Sequence, residues 1–414
     1  MRFTAVLSAM LLLTLGLAAS AGAKPGHGKG GGGVPDVDVI ATELDNPRHV
    51  AVAPNGDVYV AEAGRGGDHN TADSCFDSAE GFACTGDSGA VTRISKHWWR
   101  NDQERVVTGL ASFAPADGSS AIGPHGIFVK GGKLYVTNGG PTAPMRNGQP
   151  VLRDPTLVAE DPVSALYGTL LKARKHGHVS EIADLWAFEN ENNPDEEVGN
   201  PLVDSNPVDV FAGHGGRFYV ADAGGNTVLR VSRGGDIEVV SLFPNVPTPN
   251  PFGGPDVDMN AVPTGVVGGR DGALYVSQLT GFPFPVGGAK VFRVDPRSGA
   301  FTTYASGFTN AMDLDFGRDG TLYVLEIDSD SLLGPPIGPS TDGGIWAVPR
   351  GGGTPERVEL PAGTLTEPGG IAVGKHGELY VSNHGREAGV GDEPGAGQVL
   401  KIDLGGKHHH GHHH

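Results

Sequence analysis

Six short stretches of the 414-residue chain place ionisable and amide side chains at matching positions. They read NPRHV (46–50), GPHGI (123–127), NPVDV (206–210), VPTGV (262–266), NAMDL (310–314) and EPGGI (367–371). Aligned as columns, the fourth position is Gly126, Gly265 or Gly370 in three stretches and His49, Asp209 or Asp313 in the others. The third position holds Arg48, His125, Val208, Thr264, Met312 and Gly369, and the first contributes Asn46, Asn206, Asn310 and Glu367. Gathered around one axis, Asp209 and Asp313 are candidate ligands for a divalent cation such as calcium, which takes oxygen donors. His49 and His125 are the candidates for acid–base catalysis. Arg48, Asn206, Thr264 and Asn310 are candidate ligand-binding groups. Without such a task, the same groups would satisfy one another in a polar tunnel.

The elements that gather these residues are strands. Each stretch runs into an apolar strand, a tight turn with Gly, and a second strand ending in Tyr-Val. The Tyr residues are Tyr59, Tyr135, Tyr219, Tyr275, Tyr323 and Tyr380, at intervals of 48 to 84 residues. A third apolar alternation follows each of them, and a fourth follows in the first five units. Such a period marks a repeat architecture, here a propeller. The sixth unit lacks its fourth strand, and residues 37–44 at the other end of the chain can supply it. The sequence therefore predicts an all-β, six-bladed propeller over 37–404, with four-stranded blades and a ring closed by the N-terminal strand. Closure removes open sheet edges.

Successive strands alternate in direction, so the first and third turns of a blade share one face. Those turns are short. The long segments 63–89, 139–168, 190–206, 244–262 and 279–288 all fall on the other face, where the six stretches begin. Functional loops cluster on one side of rigid scaffolds. On this face GFPFPVG (281–287) offers Phe282 and Phe284 as a stacking wall for a ligand, or as a lid on their own blade. ENENNPDEE (189–197) lacks an EF-hand spacing and reads as a solvated charge run. Trp98 and Trp99 sit in a turn on the plain face, as a patch for a partner.

Composition bounds the class. With 67 Gly and 31 Pro, a mainly helical bundle or coiled coil is excluded. A formal charge of −18 argues against nucleic acid as a partner. Residues 1–23 read as a signal peptide: Arg2, an apolar run to Ala19, then Ala21-Gly22-Ala23. Residues 24–36 form a Gly-rich linker, and 405–414 a His-rich tail, natural or a tag. No later apolar run is long enough to span a bilayer. The expected product is a monomer, secreted or periplasmic. In that setting Cys75 and Cys84, the only cysteines, are expected to form a disulfide.

The repeats look like NHL-type and gluconolactonase-type propellers, and more closely the chain resembles the ScyD/ScyE family of exported propellers. The resemblance rests on NPRHVAVAPNGDVYVAEAGRGG (46–67), TGDSGAVTRI (85–94), ADAGGNTVLRV (221–231), QLTGFPFPVGGAKVFRV (278–294) and GFTNAMDLDFGRDGTLYVLE (307–326). It implies an exported propeller and transfers no reaction. Lactonase-type relatives hold calcium through carboxylate and amide groups in the column just before the Gly. Here that column, from Arg48 to Gly369, has no carboxylate. Two expectations follow. The first is a scaffold that binds a small molecule or an extracellular protein on the long-loop face around the channel mouth. The second is a metal-dependent lactonase- or esterase-like hydrolase at that mouth.

Overall fold

A computed structural model describes residues 35–67, 75–78, 81–97, 100–140, 145–146, 149–150, 158, 162–174, 178–334, 342–389 and 393–405. Its strands fold into six sheets arranged as blades, each running from an inner strand A to an outer strand D. Blade 1 is built from Pro47–Val52, Val58–Glu62, Gly81–His97 and Arg100–Ala114, with Cys75–Ser78 added as a short extra strand. In blade 2 the strands are Pro124–Lys130, Lys133–Asn138, Thr169–Arg174 and Val179–Asp184. Pro207–Ala212, Phe218–Asp222, Thr227–Val231 and Ile237–Leu242 make blade 3. Blade 4 has Pro263–Gly268, Leu274–Gln278, Ala289–Val294 and Phe301–Phe308. Blade 5 has Ala311–Phe316, Leu322–Glu326, Gly344–Val348 and a two-residue outer strand, Glu356–Arg357. Blade 6 takes Gly370–Val373, Leu379–Asn383 and Gly397–Asp403, and its outer strand is Asp36–Leu44 from the other end of the chain. That last pairing is antiparallel, with Val37 opposite Ile402 and Leu44 opposite Gly397.

The Tyr-Val alternation explains the core. Residues of strand B alternate faces, so Val60, Val136, Val220, Val276, Val324 and Val381 are all buried between sheets. Apolar side chains of neighbouring blades meet in six clusters. One joins Ala61 and Val91 of blade 1 to Ile127 and Val136 of blade 2. The closing one joins Leu44, Tyr380 and Val399 of blade 6 to Val50 and Val60 of blade 1. Each blade thus buries its flat faces against two others, as one sheet alone cannot.

In blades 1–5 the A–B pairing slips within the first residues of strand A, for example between Pro47 and Val50 and between Pro207 and Asp209. An irregularity there re-aims the next side chains. Four of the preceding residues adopt left-handed backbone: Asn46, Val262, Asn310 and Glu367, with φ from 43° to 52°. Asn accepts that conformation more readily than most residues, which gives Asn46 and Asn310 a backbone role.

The expected disulfide joins Cys75 to Cys84 within blade 1. Two long-loop segments carry regular structure that the sequence reading lacks. One is a hairpin, Val246–Thr248 with Val257–Met259. The other is a helix, Leu185–Asn192, with the Asp184 carboxylate capping it by accepting from Ala187 N. Trp98 and Trp99 lie outside the described residues, as do 1–34 and 406–414.

Candidate functional site

The column that alternates between Gly and an ionisable residue folds into a pattern with pseudo-threefold symmetry. His49, Asp209 and Asp313 come from blades 1, 3 and 5, and all three are buried. Gly126, Gly265 and Gly370 come from blades 2, 4 and 6. A Cβ on Gly126 would lie 2.4 Å from Asp209 Cα, and one on Gly370 would lie 2.4 Å from His49 Cα. On Gly265 it would lie 3.1 Å from Asp313 Cα. Each Gly is therefore the space into which the following blade's ionisable residue packs.

One ligand atom from each of His49, Asp209 and Asp313 lies within 4.8 Å of the others. The two carboxylates also tie blades together. Asp209 accepts from its neighbour Val210 N at 2.7 Å through Oδ1 and from Val266 N of blade 4 at 2.7 Å through Oδ2. Asp313 repeats this with Leu314 N at 2.7 Å and Ile371 N of blade 6 at 2.8 Å. His49 Nδ1 lies 3.1 Å from Asp209 Oδ1, an electrostatic contact rather than an aligned hydrogen bond. Burial works against charge on His49, but Asp313 and Asp209 outweigh it and hold the ring protonated above its usual range. Burial pushes the Asp313 carboxyl up to about 7, opposed by His49. The arrangement can share protons or hold a divalent ion.

Beside this trio lies the column before it. His125 is buried edge-on to His49, with ring centroids 5.8 Å apart. Burial, then the Arg48 and His49 charges, keep His125 well below its ordinary pKa, hence neutral. Arg48 donates through Nη2 to Ala121 O at 2.5 Å. Burial and the nearby Arg386 guanidinium lower Arg48 to about 10. Arg386 in turn pairs with Glu367 at 3.2 Å. Among the described residues, both ring nitrogens of His49 and of His125 are buried without a hydrogen-bond partner, as is Arg48 Nε. On the other side of the mouth Val208 and Met312 form an apolar cluster with Val262, Leu279 and Leu332.

The other candidates separate. Thr264 Oγ1 donates to Ala311 O at 2.8 Å, joining blades 4 and 5. Asn310 donates to Leu279 O and accepts from Leu332 N, both at 3.0 Å. Both side chains are thereby committed to the scaffold. Asn206 leaves its Oδ1 unpartnered while its backbone N donates to Asp222 Oδ1 at 2.8 Å. Phe282 stacks on Phe252 of the preceding loop, centroids 6.1 Å apart, and the two are 37% and 66% exposed. Phe284 is half-buried and its carbonyl accepts from Ser331 Oγ at 2.7 Å. The ring partner of Phe282 is thus Phe252, and among the described residues no ring contact joins Phe282 to Phe284.

Three groupings escaped the sequence reading. Arg105 donates to Glu62 at 2.6 and 3.0 Å and to Asp45 at 3.0 Å. A groove of about 1130 Å³ opens on the short-turn face between blades 2 and 3, past Lys130, Lys133, Lys172 and Arg233, away from the channel mouth. The third lies in ENENNPDEE, where Glu191, Glu196 and Glu197 are exposed as a solvated run would have them, but Glu189 and Asp195 are 2% and 0% exposed. Leu185, Trp186 and Glu189 occupy one helical face at the i, i+3/i+4 spacing, and that face turns inward.

No family model matches the chain, and no curated protein matches it. The fold is that of a six-bladed β-propeller with four-stranded blades, and solved structures share it. One, from Thermus thermophilus, is described as an oxidoreductase (glucose dehydrogenase). It is 16% identical, with a TM-score of 0.50, over 89% of this chain and 99% of its own. A streptogramin B lyase is 12% identical with a TM-score of 0.47, over 89% and 98%. A protein described as a gluconolactonase is also 12% identical with a TM-score of 0.47, over 89% and 92%. At these identities the likeness concerns architecture alone. Among the described residues, no helix is long and apolar enough to cross a membrane.

Proposed function

We propose that the chain is an exported propeller of the ScyD/ScyE type that binds a small molecule at the channel mouth on its long-loop face. The observation that carries this reading is the set of buried nitrogens without a hydrogen-bond partner, His49 Nε2, both ring nitrogens of His125 and Arg48 Nε, with an apolar cluster across the mouth from them. Buried polar groups ordinarily have partners, and a ligand is the partner these nitrogens fit. A cationic guanidinium, a neutral imidazole and an apolar wall suit a compound with an anionic or carbonyl head and an apolar body. The test is a thermal-shift panel of small carboxylic acids, phenols and lactones. A binder should raise the melting temperature of the wild type and leave His125→Gln unmoved. If every binder shifts both proteins equally, the mouth is not the site.

A second reading is favoured by one observation, the convergence of His49, Asp209 and Asp313 within 4.8 Å. It makes the protein a metal-dependent hydrolase of lactones or esters. Asp209, Asp313 and His49 would hold the ion, and His125 would be the neutral base beside it. A divalent ion there would polarise a carbonyl or activate water. Turnover of a lactone or ester that is lost in His125→Ala would favour this reading over the first.

A further inference from the structure

We propose that Glu189 and Asp195, joined by the Asn193 side-chain amide, form a calcium site where the chain passes from blade 2 into blade 3. It is separate from the channel mouth and independent of the readings above.

The site begins with a charge problem. Glu189, Asp195 and Asp222 are 2%, 0% and 1% exposed. Among the described residues their hydrogen bonds come from amides, a hydroxyl and backbone N–H groups, never from Lys or Arg. Asp195 Oδ2 accepts from Asn200 at 2.7 Å and Asn226 at 2.8 Å. Asp222 accepts from Ser205 Oγ at 2.6 Å and from the backbone of Asn206 and Gly225. Among the described residues, the side chain that can donate to the Glu189 carboxylate is the Asn193 amide, which lies 3.1 Å from Glu189 Oε1 and 3.1 Å from Asp195 Oδ1. Turned with Nδ2 inward, that amide donates to both. Turned with Oδ1 inward, it completes a face of three oxygens that a cation would hold together. Burying carboxylates without a counter-charge is costly.

A second observation points to an ion. Thr227 is 1% exposed, and its Oγ1 has no hydrogen-bond partner. It borders the same gap as Glu189. A Cβ on Gly225 would lie 3.0 Å from Glu189 Oε2 and 3.6 Å from Thr227 Oγ1. Glu189 Oε2 and Thr227 Oγ1 thus face the same space beside Gly225, where a Cβ would otherwise sit. Oxygen-only donors with two carboxylates select a hard cation, calcium before zinc or copper. The histidines at 408–410 and 412–414 favour soft and borderline metals instead, so they do not compete for it.

The experiment titrates calcium chloride alone into the chelator-treated full chain, read by calorimetry and by melting temperature. The wild type should take up one calcium and melt higher with it, in the affinity range of about 10⁻⁴ to 10⁻³ M typical of extracellular modules. Glu189→Gln should bind about tenfold more weakly or worse. Thr227→Val keeps volume and removes one oxygen, so it should bind more weakly yet fold; if Glu189→Gln fails to fold, Thr227→Val decides. Asp313→Asn should bind as the wild type does. The proposal is overturned if the wild type shows no uptake through that range, or if the folded Glu189 and Thr227 variants bind as tightly as it does. Uptake lost in Asp313→Asn but kept in Glu189→Gln also overturns it, because the ion then sits in the channel.

Discussion

His49 Nδ1 and Asp209 Oδ1 lie 3.1 Å apart, a contact between blades that are not neighbours in the ring. Blade 1 and blade 3 can meet only across the central channel, over the inner strand of blade 2. Gly126 makes this possible by leaving no side chain between them and Asp209 Cα. The alternation of Gly with His or Asp is therefore a packing rule: at this level there is room for three side chains, not six. The two acidic members of the trio then become ties from blade 3 to blade 4 and from blade 5 to blade 6.

That rule predicts the cost of breaking it. In Gly370→Ala the new Cβ would meet the backbone of His49 at 2.4 Å, where nothing flexible can yield. We expect a loss of about 2–4 kcal/mol by urea unfolding, at the high end for overpacking. Gly272→Ala has open space around it and strains only its own φ of 80°, so about 1 kcal/mol is expected. Equal losses in the two variants would contradict the packing account.

The Arg105 network predicts a second loss. Glu62 is wholly buried and Asp45 nearly so, and Arg105 reaches both from a half-exposed position. Arg105→Met leaves two carboxylates without their cation. Removing one partner of a buried pair costs about 3–5 kcal/mol, and the exposure of Arg105 favours the lower end. Arg105→Met with Glu62→Gln should recover part of that loss. A double variant no more stable than the single one would show that charge is not the cause.

How much of this was legible in the sequence depended on periodicity. The six Tyr-Val strands and the closing strand at Asp36–Leu44 followed from alternation and from a missing outer strand, because a two-residue period and a repeat survive any choice of loop. The columns brought His49, Asp209 and Asp313 together for the same reason. What the sequence hid was satisfaction. Thr264 and Asn310 look like ligands until their partners, Ala311 O, Leu279 O and Leu332 N, are found in other segments. The segment 189–197 hid more, since its acidic residues suggest solvent while Glu189 sits on the inward face of the helix with Leu185 and Trp186, and Phe188 packs on the same core. Pairings such as Asp195 with Asn226, across 31 residues, have no local pattern.

His125 predicts a pH dependence. Its folded pKa lies well below the ordinary value, chiefly through burial. Below about pH 6.5 the unfolded chain gains a proton that the folded ring refuses. The unfolded state then binds more protons, so stability falls on acidification, by about 1.4 kcal/mol per pH unit for one proton. His125→Gln removes the titrating group. Between pH 7 and pH 5 the variant should lose less stability than the wild type, measured by urea unfolding at each pH. Parallel losses would mean that His125 is protonated in the fold or that its ring reaches solvent.

Asp209 and Asp313 separate the two functional readings through a measurement that does not depend on activity. Each carboxylate accepts from a backbone N–H through both oxygens. Asn in place of Asp keeps one acceptor and turns a donor towards the other N–H. The double variant Asp209→Asn, Asp313→Asn should therefore lose about 1–3 kcal/mol at each position, whether or not a metal binds. Stability alone cannot distinguish the readings, and elemental analysis can. On residues 24–406, which omit most of the His-rich tail, the binding-scaffold reading expects no metal that the double variant loses. The hydrolase reading expects the wild type to hold one more ion per chain than the variant. Calcium held at Glu189 should remain in both proteins, because its ligands share no residue with the channel trio. A loss of one ion with the carboxylates would turn attention to lactones and esters, and unchanged metal content would leave Asp209 and Asp313 as ties between blades beneath a binding mouth.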